Sequence, residues 1–442
     1  MTSTSRPTGP RTDAETAEVD PDTTTTPGGD IQGIDSAVLA GSLREYLGSW
    51  VSRVRGGESG LLPVVAGFIV IIIIFQTQQS LFLSAGNLVN LLVQGATYVL
   101  LGMAEIFVLL LGEIDLSAGF VAGVGAVVTV ALAGPHNQPW WIAILGGLAA
   151  TAVLGIVQGL LITRLRLPSF VVTLAGLLGF EGLLIYLVDR EGGPSSGGTI
   201  PITNNVLANI VYGNMGLAAG WILMAVVVVA ISCLWLLRDR RRRSSGLVTP
   251  PIGLTLIKIA ILAVAGILLV IICNTNRGYA TSLQGVPWVV PIVLAILALW
   301  SFVLDRTRFG RYVYAIGGNA EAARRSGISL NRIRLLCFML CSLTAGAAGI
   351  IYASRLGSIS NNVDGGQLVL YAVAAAVIGG TSLYGGRGKM VHALLGGLVI
   401  ATIVNGMSLM NLSAAVQYMV TALVLLAAVT VDAVARRGRT AD

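Results

Sequence analysis

The chain has 442 residues, 55% of them hydrophobic and 11% charged, where soluble domains carry roughly 25% charged residues. That balance excludes a water-soluble globular enzyme, and its 55 Gly, which follow no three-residue period, exclude a collagen-like chain and suit helices packed closely in lipid. The net charge of +7 calls for no nucleic acid, because basic residues of membrane proteins gather in cytoplasmic loops and set orientation.

Residues 1–42 are rich in Thr, Pro, Gly and Asp and are expected to form a disordered cytoplasmic tail. They lack the basic start and early apolar core of a cleavable signal, so the first span is expected to direct insertion. A juxtamembrane segment follows over 43–60, then a transmembrane domain over 61–435 and a short cytoplasmic tail over 436–442. Apolar runs close to the roughly 20 residues that cross a bilayer fall at 61–79, 88–111, 116–133, 140–162, 169–188, 217–237, 253–273, 288–304, 334–353, 368–384, 390–410 and 415–433. The expected fold is an all-α polytopic helical bundle of about 10 to 12 spans.

With a cytoplasmic N-terminus, all but Arg190, Arg277, Arg355 and Lys258 of the 28 Lys and Arg fall on the inside. The positive-inside rule therefore places both termini in the cytoplasm. Two outside loops are long, 189–216 and 274–287, and the longest inside loop runs over 305–333. Cys233, Cys273, Cys337 and Cys341 lie in apolar stretches and read as packing residues. Neither they nor His136 and His392 form a cluster with metal-ligand spacing, so no metal site is expected.

Inside the 305–333 loop, Asn319 to Gly327 has the grammar of a short helix. Asn319 can cap it, Glu321 sits where the dipole favours an acid, Arg324 and Arg325 sit where it favours cations, and Gly327 is a stop. Two turns are marginal alone, so such a helix needs a surface to lie against; the competing reading is a solvated connector that enforces topology.

Between two apolar runs stand Glu113 and Asp115, flanked by Gly112, Ser117 and Gly119. One reading is an unwound backbone beside a translocation path, since intramembrane acids point to function. The other is a tight turn near the cytoplasmic surface with both acids wet. A second Gly-interrupted segment, Gly379 to Gly386, contains Thr381 and Ser382; paired interruptions can flank a substrate path, or its glycines serve close packing. Asn87, Asn90 and Gln94 in the second span, with Thr173 and Glu181 in the fifth, offer hydrogen bonds suited to sugar hydroxyls or to joining helices.

Several of these segments resemble one family. Glu321-Ala322-Ala323 with Gly327 matches the start of the EAA motif of ABC importer permeases, although the continuation toward Ile-x-Leu-Pro is absent. Gly112-Glu113-Ile114-Asp115-Leu116-Ser117-Ala118-Gly119 resembles the Gly-Gly-Ile-Asp-Leu-Ser-x-Gly signature of the ribose/xylose branch, with Glu113 in place of the second Gly. Pro168 to Leu174, Arg306 to Arg311 with Ala315 to Asn319, and Ile378 to Ser382 are similar to further blocks in the same order, so the resemblance covers about 60 to 437. The extra pair of spans around Arg238 to Arg243 is most like the longer, xylose-type permeases.

The resemblance implies a type II-like permease of a bacterial monosaccharide importer in the cytoplasmic membrane. It also implies a second permease copy, an ABC ATPase carrying ATP and Mg, and an extracytoplasmic sugar-binding protein. The Asn319 to Gly327 segment would be the coupling helix, with Asn319, Glu321, Ala322, Ala323, Arg324, Arg325 and Gly327 its contact residues. Asn87, Asn90, Gln94, Glu113, Asp115, Ser117, Thr173, Glu181, Thr381 and Ser382 would line the substrate path.

No catalytic residue is expected on this chain. The Walker A spacing G-x-x-x-x-G-K-[ST] fails at Gly388-Lys389, where Leu383 replaces the first Gly and Met390 follows the Lys. Two other classes compete with the importer. An ATPase-independent secondary transporter or channel for a small polar solute is one, and ion coupling would need more intramembrane acids than Glu105, Glu113, Asp115 and Glu181. A membrane enzyme would need a nucleophile, metal or acid–base pair that the sequence does not display.

Overall fold

In the computed structural model, residues 62–193, 197–246, 251–278 and 282–437 are described. The expected tail 1–42, the segment 43–60 and residues 438–442 of the other tail lie outside the described residues. Every apolar run of the sequence forms a helix: α1 (Leu62–Gln78), α2 (Ala85–Leu109), α3 (Ala118–Ala133), α4 (Trp140–Arg164) and α5 (Ser169–Gly192). After strand β1 (Thr199–Pro201) and α6 (Asn205–Tyr212) come α7 (Leu217–Ser244), α8 (Ile252–Asn274) and α9 (Val289–Arg306). The chain then forms α10 (Arg308–Gly318), α11 (Ala320–Arg325), α12 (Leu330–Leu356), β2 (Ser358–Ser360), α13 (Gly365–Ile378), α14 (Met390–Leu409) and α15 (Ala414–Arg437).

Eight of these helices are long and apolar enough to cross a membrane, and α1, α3, α13 and the start of α15 supply shorter apolar helices. At 1.5 Å per residue α3 and α13 reach only about 24 and 21 Å, short of a hydrocarbon layer of about 30 Å. Each therefore adjoins an irregular segment, 110–117 before α3 and 379–389 after α13.

The centre of the bundle is α2, almost wholly buried. It is packed by α12, α13 and α14, and α12 also packs on α3 and α4. Glycines set these approaches: a Cβ on Gly349 of α12 would collide with the Ala122 carbonyl of α3, and one on Gly396 of α14 with that of Ala375. The α7–α8 hairpin is peripheral, packed on itself and touching α2 through α8.

Two expected loops are structured. Within 305–333, α9 runs to Arg306 and α10 follows after a corner at Thr307, whose Oγ1 accepts the Gly310 N–H at 3.3 Å and donates to the Val303 carbonyl at 2.6 Å. Three glycines in α10 hide it from a propensity reading, because Gly disfavours helix interiors. Within 189–216, β1 pairs antiparallel with β2 in the register Thr199↔Ser360, Ile200↔Ile359, Pro201↔Ser358. Next to it α6 is fixed to the end of α12 by Ser354 Oγ donating to the Leu207 carbonyl at 2.6 Å. These pairings join segments about 150 residues apart, and no local pattern announces them.

Candidate functional site

At the arginine-rich end of the bundle, α10 and α11 form a short arm. Asn319 Oδ1 accepts the Ala322 N–H at 2.9 Å, capping α11, and Gly327 ends it with φ of +82°. Glu321 accepts from Arg324 Nη2 at 2.8 Å and from Arg325 Nε at 3.2 Å, one helical turn away. The hydrogen bond from Arg324, then that from Arg325, hold the Glu321 carboxyl below the usual carboxylate range, and the Arg324 guanidinium is pushed up in return. Ala323 is buried against the protein, whereas Glu321, Ala322, Arg324 and Arg325 are exposed. One side of α11 is thus seated, and the other presents a neutralised acid and two cations.

Directly above this arm lies the break between α2 and α3. Glu113 is not wet: its side chain is 10% exposed and pairs at 2.7 Å with Arg334, from the first turn of α12. Asp115 is fully buried, and its Oδ1 accepts the Ser117 N–H at 2.9 Å and the Ser117 hydroxyl at 2.6 Å. Gln158 of α4 donates to Ser117 Oγ at 2.7 Å, and Cys341 of α12 donates to Asp115 Oδ2 at 3.7 Å. Thr173 of α5 donates to the Ile114 carbonyl at 3.3 Å. Close by, Glu105 of α2 is fully buried beside the Asp115 backbone. The turn reading with both acids in water is therefore corrected: burial demands partners, and the neighbouring Ser117, with Arg334 and Cys341 of α12, supplies them.

The second interruption packs against the first. Thr381 and Ser382 are buried, the Ser382 N–H donates to the Arg387 carbonyl at 2.8 Å, and the Gly386 N–H donates to the Leu110 carbonyl at 2.9 Å. The structure therefore brings Glu113, Asp115, Ser117, Thr173, Thr381 and Ser382 to one end of the bundle.

Asn87, Asn90 and Gln94 lie toward the opposite end. Asn87 and Asn405 of α14 exchange two amide hydrogen bonds at 2.8 and 3.0 Å. Gln94 is buried one turn before Tyr98, whose ring meets Tyr371 edge-on at 5.2 Å. Gln367 Nε2 donates to the Tyr371 hydroxyl at 2.7 Å, and the Tyr418 hydroxyl donates to Asp364 Oδ2 at 2.7 Å. Asn90 is exposed and Glu181 half-buried, and neither forms a hydrogen bond or ion pair among the described residues.

Sequence reasoning missed Arg334, which reads as one more topological arginine. It also missed Gln158, although a lone amide in an apolar run is the kind of intramembrane polar group that signals a structural or functional role. Tyr98, Tyr371 and Tyr418 were invisible as a set because they come from three helices. A groove of about 390 Å³ between α2, α7, α8, α9 and α14 is lined by aliphatic side chains, Met224 and glycines. It lacks the polar groups that orient a sugar.

A helical bundle with eight helices long and apolar enough to cross a membrane, and with two interrupted helices meeting above an exposed, capped arm, defines a polytopic membrane protein. Residues 87–429 match the branched-chain amino acid transport system / permease component family, and the chain belongs to that family. It is 36% identical to the xylose transport system permease protein of Escherichia coli strain K12 over 397 residues, 86% of this chain and 95% of the relative. The xylose transport system permease protein of Haemophilus influenzae is 35% identical over 358 residues, covering 79% and 90% of the two chains. The ribose import permease protein of Escherichia coli K12 is 30% identical over 364 residues, covering 82% and 91%. These relatives place the chain in the ribose/xylose branch of sugar permeases, and no solved structure matches it.

Proposed function

We propose that the chain is the membrane-spanning subunit of an ATP-driven monosaccharide importer, with D-xylose the substrate. The observation that carries this reading is α11, a capped, ion-paired helix with one seated side and one exposed side, in a chain related to sugar permeases. The exposed side of α11 docks on an ABC ATPase, which holds ATP and Mg and hydrolyses the nucleotide. Two copies of the chain form the pathway in the cytoplasmic membrane, with both termini inside. A sugar-binding protein delivers substrate to the end that carries β1, β2 and α6.

In this reading ATP draws the two ATPase subunits together, and α11 transmits the movement as a lever. The helices rock about their glycine-spaced interfaces and switch access from one side to the other. Asn87, Asn90 and Gln94 at the delivery end, and Glu113, Asp115, Ser117, Thr173, Glu181, Thr381 and Ser382 deeper in, are the hydrogen-bonding groups proposed along the path.

The reading is tested by purifying the tagged chain from its native host in mild detergent. A Walker-type ATPase should co-purify in about equal amount and be lost in the double variant Glu321→Lys, Arg324→Glu, because charge reversal on a docking face costs several kcal/mol. Recovery of the chain alone, still supporting D-xylose uptake into liposomes without ATP, would move it to the secondary transporters. Uptake of D-ribose but not D-xylose by the intact complex would overturn the substrate.

A further inference from the structure

The end of α10 opposite α9 is locked, backbone against backbone, to both interrupted-helix segments at once. A Cβ on Gly317 would collide with the Leu110 carbonyl and lie 2.5 Å from the Gly386 nitrogen. A Cβ on Gly385 would lie 2.9 Å from the Gly112 nitrogen and 3.0 Å from the Gly317 carbonyl, and one on Gly386 would lie 3.0 Å from the Gly318 nitrogen. Gly112, Gly385 and Gly386 have φ of +78°, +85° and +72°, a conformation that L side chains rarely adopt. Two bonds close the junction: the Gly386 N–H donates to the Leu110 carbonyl at 2.9 Å, and the Tyr314 hydroxyl donates to the Gly388 carbonyl at 2.8 Å.

The elbow between α10 and α11 is bonded on both sides as well. The Asn319 N–H donates to the Ala315 carbonyl at 3.0 Å, and the Asn319 carbonyl accepts the Ala323 N–H at 3.0 Å. Beyond the junction, the α2–α3 break is tied to α12 through Glu113 and Arg334 and to α4 through Ser117 and Gln158.

We infer that α10 and the segments 110–117 and 379–389 move as one body, with Gly317, Gly386 and Tyr314 as the residues that position both interruptions on the arm. Side-chain contacts can yield by changing rotamers, but backbones closer than a methyl group allows cannot slide without separating, and here the Leu110–Gly386 bond joins the two segments to each other while the Tyr314 hydroxyl bonds α10 to one of them. A displacement of α11 then reaches both interrupted helices together, and α2 and α13, which lead into them, answer in step. This inference rests on the reading of α11 as the ATPase-facing helix.

The test uses the full transporter, co-purified with its ATPase and reconstituted with its binding protein, and reads sugar uptake per ATP hydrolysed. Gly317→Ala and Gly386→Ala should leave the co-purified ATPase at the wild-type amount, since α11 is untouched, and hydrolysis should continue. Uptake per ATP should fall about tenfold, the scale of a lost coupling free energy. Tyr314→Phe adds no bulk and removes one hydrogen bond, and should lower the ratio about threefold. A wild-type ratio in Gly317→Ala overturns the inference; if both alanine variants fail to insert, a wild-type ratio in Tyr314→Phe overturns it. Absence of any ATPase beside the wild-type chain would instead overturn the reading of α11.

Discussion

Helix α2 and the α7–α8 hairpin both read as spans, yet they have opposite fates. Among the eight long apolar helices, α8 and α7 are the two most apolar and among the least buried, whereas α2 is among the less apolar and is the most buried. In water the order would be reversed. In lipid the acyl chains are as apolar as Leu, so hydrophobicity gives no reason to go inside. Helix α2 carries polar groups that hydrocarbon cannot satisfy, among them Asn87, bonded to Asn405, and Tyr98, packed edge-on against Tyr371. Helix α7 buries only Gly220 and Asp239, and Asp239 is held by the Thr255 hydroxyl at 2.7 Å.

This contrast can be broken by putting bulk in both regions. Gly349→Val, facing the Ala122 carbonyl at the centre of the bundle, should destabilise the fold by about 3 kcal/mol or more. Gly253→Val at the start of α8, where nothing lies within 4 Å of a Cβ, should stay within about 0.5 kcal/mol. Thermal unfolding in detergent measures both, and equal losses would dissolve the distinction between core and periphery.

A charge probes the same contrast from the lipid side. Val229 of α7 is 66% exposed, and Val229→Asp should cost about 3 kcal/mol of insertion if that exposure is to hydrocarbon. A glycosylation-mapped insertion assay reads it, and unimpaired insertion would place Val229 in water.

A smaller effect is expected at Arg334→Met, which leaves Glu113 buried without its cation. The loss should be about 2 kcal/mol, below the value for a fully buried pair because Arg334 is 35% exposed. The companion Glu113→Gln, Arg334→Met should recover part of it, and failure to recover any would mean that the two side chains do not interact.

The smallest effect concerns pH. The carboxyl of Glu321 is lowered by Arg324 and Arg325, so its contribution to α11 is present above the ordinary carboxylate value and lost as pH falls through the lowered one. Its carbon resonance should titrate with a midpoint below that of an ordinary exposed glutamate. A midpoint at or above that value would show that the arginines do not hold it.

Much of the arm was legible in the sequence because capping is local: Asn319, Glu321, Arg324, Arg325 and Gly327 lie within nine residues, and each acts on its own helix. The spans were legible for a similar reason, since the length of an apolar run is read without knowing any neighbour. Helix α10 was hidden by its glycines, of which Gly317 serves the contact to Leu110 and Gly386, and Gly310 the turn against the Leu304 carbonyl of α9, rather than local propensity. The acid-bearing break was visible as an anomaly at Glu113 and Asp115, but not its partners, because Arg334, Gln158 and Cys341 come from two other helices.

The sequence by itself determined that this is an all-α membrane chain with an arginine-rich end and a capped arm, because hydropathy, charge bias and capping are properties of short windows. Only the tertiary structure decided which apolar helix is the core, how Glu113, Asp115 and Ser117 are satisfied, and that both interruptions rest on α10. Those outcomes depend on hydrogen bonds and backbone approaches between segments far apart in the chain, whose partners exist only once the helices have packed.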